Sequence, residues 1–579
     1  MRHTKYLDYG SDGRNPHPEV PKTIDFRWGV KIPMRDGVQL NATLYKPKEG
    51  DPTPAIFTLT PYTMESAHGR GVYFAQQGYS FAVVDSRGRG NSEGTFEPFA
   101  REAKDGHDIV EWLASQPWCN GQVAMWGGSY GGFDQWLTLR ESPPHLSTIV
   151  PVASAHAGVD FPFFSNLFTS YEMQWLTFTS GVTRNTALMD DANFWIEKFQ
   201  EMYQNHLPYQ ELDRIVGNHS SVFQTWVKHP HPDAYWDQMA LTSQQYDQIS
   251  LPILTITGHY DGDQPGAMEY YRRHMASKSS SKEAHYLIIG PWDHPGTRDP
   301  KPEFGGLKFG EASLLDMNKL HKEWYDWTMK EGKKPTFLKK RVAYYVAGEE
   351  KWKYANRLEE IPTHSQKMNL GSDNGAQDVF HSGRLGTKKP HGARSDTFAY
   401  DPLDKRPGEL ERKEIKDYLT DQTYDLNLFG NGLVYHSEPF AKDTKITGWV
   451  KLLAWMELDV PDTDFTALLS EVLRDGKVIK LTQDMLRARY RESKRVEKLV
   501  IPGEINLYTF DGFTFFSRQI AKGSRLRLII SCTNTIYLEK NYNSGAVVAE
   551  ESGKDAHTAH VILYHDADHA SHLELPVVR

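Results

Sequence analysis

Ser129 stands in the run Gly127-Gly128-Ser129-Tyr130-Gly131-Gly132, a G-x-S-x-G pattern. An apolar, strand-length run at 123–126 leads into it. Phe133, Trp136 and Leu137 follow at helical spacing, so the pattern lies between a predicted strand and a predicted helix. A sharp strand-to-helix turn needs glycines where Cβ atoms would clash, and it lifts the serine Oγ into the open. It also sets a helix N-terminus behind the hydroxyl, where negative charge is favoured. Without strand and helix in place, the plainer reading is a glycine-rich turn with an incidental serine.

A serine hydroxyl is a weak nucleophile near neutral pH and needs a base held by a third group. Two later strand-like runs end in such residues. The run 252–257 leads into Gly258-His259-Tyr260-Asp261, and 285–289 leads into Gly290-Pro291-Trp292-Asp293-His294. The order serine, acid, histidine, each after its own strand, is that of α/β-hydrolases, with His294 as base and Asp261 as its orienting acid. Asp293 adjoins the histidine and is expected to point elsewhere. Asp263 lies two residues beyond the strand-end acid and is kept for another purpose.

The elements that must position these residues follow from composition along the 579 residues. Residues 1–155 alternate strand-like and helix-like segments, as a mainly parallel sheet with crossover helices does, and begin with a hairpin across Arg35-Asp36-Gly37. Residues 156–245 are rich in Phe, Trp, Tyr and Met at helical spacing without obvious strands, and read as a helical cap. Sheet signals return at 246–335, ending in a predicted helix whose stripe is Leu314, Met317, Leu320, Trp324 and Trp327. From 336 to 579 the chain reads as short strands throughout, beginning with 341–346, a two-sheet sandwich or jelly roll. Segment 371–395 is the most loop-like stretch.

Composition excludes several function classes. Lys and Arg total 66 against 75 Asp and Glu, a net −9 with no basic face, which argues against nucleic acid as a partner. The apolar runs are far shorter than the roughly 20 residues of a membrane span. Cys119 and Cys532 are the only cysteines, so neither a disulfide scaffold nor a thiolate metal site is expected. No metal or cofactor is called for: His565-Asp566-Ala567-Asp568-His569 has ligand-type residues without a site-like spacing. The polar start, MRHTKYLDYGSDGRNPHP, has no apolar core of a secretory signal, and the default expectation is a cytoplasmic protein; a signal already removed would look the same. Aromatics, at 12%, are the one excess, and suit aromatic-lined pockets or many-stranded β structure equally.

Together these residues resemble a known family. IPMRDGVQL at 32–40, DSRGRGNSEG at 85–94, EWLASQPWCNGQVAMWGGSYGG at 111–132, HPHPDAYW at 229–236, TGHYDGD at 257–263 and IGPWDHPG at 289–296 are similar to the cocaine-esterase and X-Pro dipeptidyl-peptidase family. That family includes α-amino-acid ester hydrolases and glutaryl cephalosporin acylases. The stretch 461–493 resembles its C-terminal domain, so the likeness covers nearly the whole chain. It implies an α/β-hydrolase domain, a helical cap and a galactose-binding-like jelly roll that helps to wall the active site. It places the triad on Ser129, Asp261 and His294, and the oxyanion hole on the backbone N–H of Tyr130 and the phenol of Tyr62. In DSRGRG, Arg87 and Arg89 are expected to pair with carboxylates and hold a turn.

The implied reaction is hydrolysis of a carboxylic ester or amide through an acyl-enzyme. The partner is a small ester, amide or short peptide, and homo-oligomer formation is left open. Members that act on amino-acyl groups must pair a substrate ammonium. Asp263 and Asp160 are the candidate carboxylates, and Gln264 departs from the pattern of the amino-ester hydrolases, which carry another acid there. Phe161, Phe163, Phe164, Trp175 and Phe178 suit an acyl pocket and the cap core equally. An X-Pro dipeptidyl-peptidase-like aminopeptidase and a non-catalytic carbohydrate-binding protein are the alternatives.

Overall fold

The computed structural model describes residues 18–361, 363–373, 375–388, 394–423 and 426–578. The polar start, up to residue 17, and parts of the loop-like stretch 371–395 lie outside these residues. Strands β1 (Ile24–Pro33), β2 (Gln39–Pro47), β3 (Thr53–Thr60), β4 (Ser80–Asp85), β5 (Cys119–Ser129) and β6 (Leu146–Ser154) form the first six strands of a ten-stranded sheet. The β1–β2 hairpin pairs antiparallel across the Arg35-Asp36-Gly37 turn, whereas β4, β3, β5 and β6 run parallel to one another in that spatial order. Buried parallel strands are apolar on both faces because helices cover both. In β4, Phe81 and Val83 join the core beneath helix α1 (His68–Gln76), while Ala82 and Val84 join the core beneath α2 (Glu102–Ala114) and α3 (Tyr130–Thr138).

Two short strands, β7 (Phe163–Phe164) and β8 (Leu167–Phe168), pair inside the predicted cap, which otherwise consists of helices beginning with α4 (Tyr171–Phe178). The main sheet then resumes with β9 (Ile253–Tyr260) and β10 (His285–Asp293), parallel to β6. Because β3, β5, β9 and β10 are parallel, their carboxyl ends share one edge, where ligand sites of open α/β sheets lie. That common edge collects Tyr62, Ser129, Asp261 and His294.

Two expectations are corrected here. Strand Val342–Val346, expected at the head of the C-terminal domain, pairs parallel with β10, and Lys351–Ala355 pairs with it in turn. The main sheet thus reaches Ala355, and the next sheet opens with Thr363–Gly371; all five residues of Val342–Val346 are buried, as an interior strand demands. The predicted stripe of the last helix also starts too early. The helix is Met317–Met329, with Met317, Leu320 and Trp324 buried, whereas Leu314 precedes it and is exposed.

The described residues beyond Ala355 are mainly β, in a sheet of thirteen strands with one short α-helix, Arg406–Glu409. Tyr400 and Leu481 lie on strands at opposite ends of its hydrogen-bonded path, Ser395–Tyr400 and Val478–Arg487, yet they share one core. At about 4.8 Å per strand, a flat sheet would hold them more than about 40 Å apart. The sheet is folded over on itself. It also grips the other domains: Gln264 donates to the carbonyl of Phe515 at 2.9 Å, and Glu539 accepts from the backbone N–H of Phe168 at 3.0 Å and from Arg487 at 2.7 Å.

Candidate active site

Strand β5 ends at Ser129, whose φ of 60° and ψ of −122° lie outside the regions that non-glycine residues ordinarily occupy. The turn is tight on both sides. A Cβ on Gly127, itself at φ +154°, would meet the carbonyl of Gly131 at 2.9 Å, and one on Gly132 would lie 2.5 Å from Oγ of Ser154 on β6. The elbow thus requires its glycines, and α3 starts directly at Tyr130.

Asp261, just after β9, is 2% exposed. Its Oδ1 lies 2.8 Å from Nδ1 of His294 and accepts from the backbone N–H of Asp263 at 3.0 Å, while Oδ2 accepts from Thr257 Oγ1 at 2.8 Å. A carboxylate only accepts, so this contact puts the imidazole proton on Nδ1 and leaves Nε2 without one. Asp293 Oδ1 accepts from Gly296 N–H at 2.9 Å.

Ser129, Asp261, His294, Tyr62 and Tyr130 all border one cavity of about 530 Å³. Other parts of its wall come from outside the main sheet. The cap supplies Phe161, Phe164 and Trp175 among others, and the C-terminal sheet supplies Leu481, Met485 and Ile529. Of the five cap aromatics named from the sequence, Phe161, Phe164 and Trp175 border the cavity, and Phe161 and Trp175 also pack in the cap core with Phe163 and Phe178. Tyr62 accepts a hydrogen bond from Trp175 Nε1 at 2.9 Å and stacks on Phe178. The side chain of Tyr130 turns inward, donating to the buried Glu102 and accepting from Phe99 N–H at 2.8 Å. Burial pushes the Glu102 carboxyl up to about 7.

The two carboxylates expected to meet an ammonium are not equivalent. Asp263 borders the cavity with Oδ2 3.7 Å from His294 Nδ1, and burial pushes its carboxyl well above the usual range. Asp160 is absent from the cavity wall. It is 3% exposed and accepts from His156 N–H at 2.8 Å and Gly266 N–H at 2.6 Å, which fastens the start of the cap to helix Gln264–Ala276. Burial nonetheless pushes it up to about 8. The expectation that Asp160 faces substrate does not fit this position. Gln264 is likewise occupied, bridging Gly258 and Phe515.

The basic motif also divides. Arg87 pairs with Asp105 and Asp36, as expected. Arg89 does not pair with a carboxylate: its Nε donates to Pro61 O at 2.8 Å and its Nη1 to Thr179 O at 2.7 Å. His565 lies in the C-terminal core, 3.1 Å from Asp396. Sequence reasoning did not name the sheet residues Leu481, Met485 and Ile529. They alternate along strands as ordinary core residues do, and nothing local marks them as lining a site.

A serine at a strand–helix elbow, with an acid-held histidine on the same sheet edge, makes this a serine hydrolase of the α/β-hydrolase class. The model of the X-Pro dipeptidyl-peptidase (S15 family) matches residues 36–296, and that of the X-Pro dipeptidyl-peptidase C-terminal non-catalytic domain matches 337–574. The chain belongs to this family. It is 27% identical to cocaine esterase of Rhodococcus sp. (strain MB1 Bresler), over 95% of this chain and 98% of that one. An α-amino acid ester hydrolase structure shares the fold with a TM-score of 0.82 at 19% identity, covering 99% of this chain and all of the other. An aminopeptidase from a marine sediment archaeon, Thaumarchaeota archaeon, does so with a TM-score of 0.81 at 21% identity and the same coverage. Among the described residues no helix is long and apolar enough to cross a membrane.

Proposed function

We propose that the chain hydrolyses a carboxylic ester or amide through an acyl-enzyme on Ser129. The observation that carries this reading is the 2.8 Å contact of His294 Nδ1 with Asp261, made on the same cavity that Ser129 borders at its strained elbow. His294 Nε2 takes the proton of Ser129 as Oγ attacks the acyl carbon, and returns it to the departing alkoxide or amine. Water then repeats the sequence on the acyl-enzyme. Asp261, held by Thr257 and by the backbone of Asp263, fixes the tautomer and stabilises the imidazolium. The backbone N–H of Tyr130 and the phenol of Tyr62 receive the oxyanion, where one preorganised donor is typically worth about 10²–10³ in turnover.

The aromatic wall of Phe161, Phe164 and Trp175 favours an apolar acyl group. A second reading, an acyl group bearing an α-amine as in amino-acid ester hydrolysis, β-lactam side-chain acyl transfer or aminopeptidase action, is supported by Asp263 alone, because Asp160 and Gln264 are engaged elsewhere. Steady-state kinetics on matched neutral-acyl and aminoacyl p-nitrophenyl esters, X-Pro amides and β-lactam side-chain amides tests both readings. Turnover of none of them overturns the proposal, and a strong aminoacyl preference selects the second reading.

A further inference from the structure

The two side chains of α4 that face the oxyanion region do so one helical turn apart. Trp175 stacks on Tyr130 at 5.5 Å between ring centres with 21° between planes, and Phe178 stacks on Tyr62 at 5.4 Å and 30°. Residues at i and i+3 share a helix face, so one surface of the cap helix covers both tyrosines at once. The same indole also donates Nε1–H to the Tyr62 hydroxyl at 2.9 Å. Arg89, fully buried, then ties the backbone on either side: it donates to the carbonyl of Pro61, next to Tyr62, and to that of Thr179, which caps the end of α4.

An indole N–H can only donate, so at this contact the Tyr62 oxygen accepts. The hydroxyl proton is then turned to the other side of the oxygen. A phenol that accepts one hydrogen bond is polarised to donate a stronger one. We propose that Trp175 is a positioning residue for the oxyanion hole: its N–H sets the Tyr62 hydroxyl as a donor towards the tetrahedral oxyanion, and the cap is in this way a working part of the catalytic apparatus. This inference rests on the assignment of Tyr62 to the oxyanion hole and adds the group that orients it. Trp175 also borders the cavity, but the effect of its N–H runs through the contact with Tyr62, so that effect should vanish when the Tyr62 hydroxyl is absent.

A double-mutant cycle on a neutral p-nitrophenyl ester tests this, with Trp175→Phe and with 3-benzothienylalanine at 175, which exchanges N–H for sulfur at nearly constant shape and so keeps the stacking. Loss of Tyr62 as a donor, in Tyr62→Phe, should lower kcat by about 10²-fold or more. Either change at 175 should lower kcat at least about tenfold with KM within about twofold, since an interaction made only in the transition state is lost. In the Tyr62→Phe background the same changes should alter kcat by less than about twofold, because the partner is already gone. Equal losses in both backgrounds, or unchanged kcat with the benzothienyl side chain while Tyr62→Phe is impaired, overturn the positioning role and leave Tyr62 in place. Wild-type kcat in Tyr62→Phe instead overturns the oxyanion assignment, and the positioning role falls with it.

Discussion

Oδ2 of Asp263 lies 3.7 Å from Nδ1 of His294, on the same ring nitrogen that Asp261 holds at 2.8 Å. The imidazole is thus flanked by two carboxyl groups, one buried and saturated with hydrogen bonds, the other bordering the cavity. In the proposed mechanism, a positive charge formed on the ring would be favoured by each of them in its ionised form. A substrate ammonium placed against Asp263 would sit close to that same charge, so any gain in binding carries a cost in the transition state.

Ser129→Ala should fold, with ester turnover reduced by several orders of magnitude, as removal of a covalent nucleophile requires. A fluorophosphonate should add one label to the wild type and none to the variant, read by intact-protein mass spectrometry. Persistent labelling would place the nucleophile elsewhere.

Asp261→Asn should lower kcat by about 10⁴-fold, since the amide can impose the wrong tautomer on His294. Asp293→Asn should retain most activity, because an amide oxygen can still accept from Gly296 N–H. Parallel kinetics on one ester rank the two, and the opposite order would reassign the acid.

Asp263→Asn should lower kcat/KM on aminoacyl esters at least tenfold more than on neutral esters if an ammonium pairs there, since leaving a buried charge unpaired costs about 2–5 kcal/mol. An unchanged ratio assigns the enzyme to neutral acyl groups.

Asp160→Asn should instead act on the fold. An amide has one acceptor oxygen for the two backbone donors, His156 and Gly266, and an unsatisfied buried donor costs about 1–3 kcal/mol. Aminoacyl and neutral esters should be affected alike. The folded protein holds the Asp160 proton up to about pH 8, whereas an ordinary aspartate loses it near 3.8. Between those values the native state binds more protons than the unfolded one, so this group's contribution is complete below the lower value and declines as pH rises to the upper one. Denaturant midpoints should fall more steeply across that window in wild type than in Asp160→Asn.

Gly132→Ala should destabilise the elbow by about 1–3 kcal/mol, as overpacking against Ser154 and the Val152 carbonyl demands. Thermal melting gives the shift. An unaltered melt would mean that β6 yields to the added methyl.

Local order in the chain already put Ser129, Asp261 and His294 at strand ends and accounted for most of the parallel sheet. Ser129, Asp261 and His294 each directly follow an apolar strand, and parallel strands bring their carboxyl ends to one edge, so position along the chain already implies position in space. The all-β character of the C-terminal part was legible for the same reason, since alternation is a property of neighbours in sequence. What depended on contacts between distant segments was decided only by tertiary structure. Val342–Val346 reads as a strand in either sheet, and its pairing with β10 assigns it. Arg89 was expected to seek a carboxylate, but the turn before Tyr62 and the end of α4 converge on it with two unpaired carbonyls. Asp160 and Asp263 are the same residue type in similar loops, yet only packing leaves one on the cavity and closes backbone donors around the other. Trp175 reads as one cap aromatic among many until the docking of α4 brings its N–H to Tyr62, because a hydrogen bond across more than a hundred residues leaves no periodicity in the chain to reveal it.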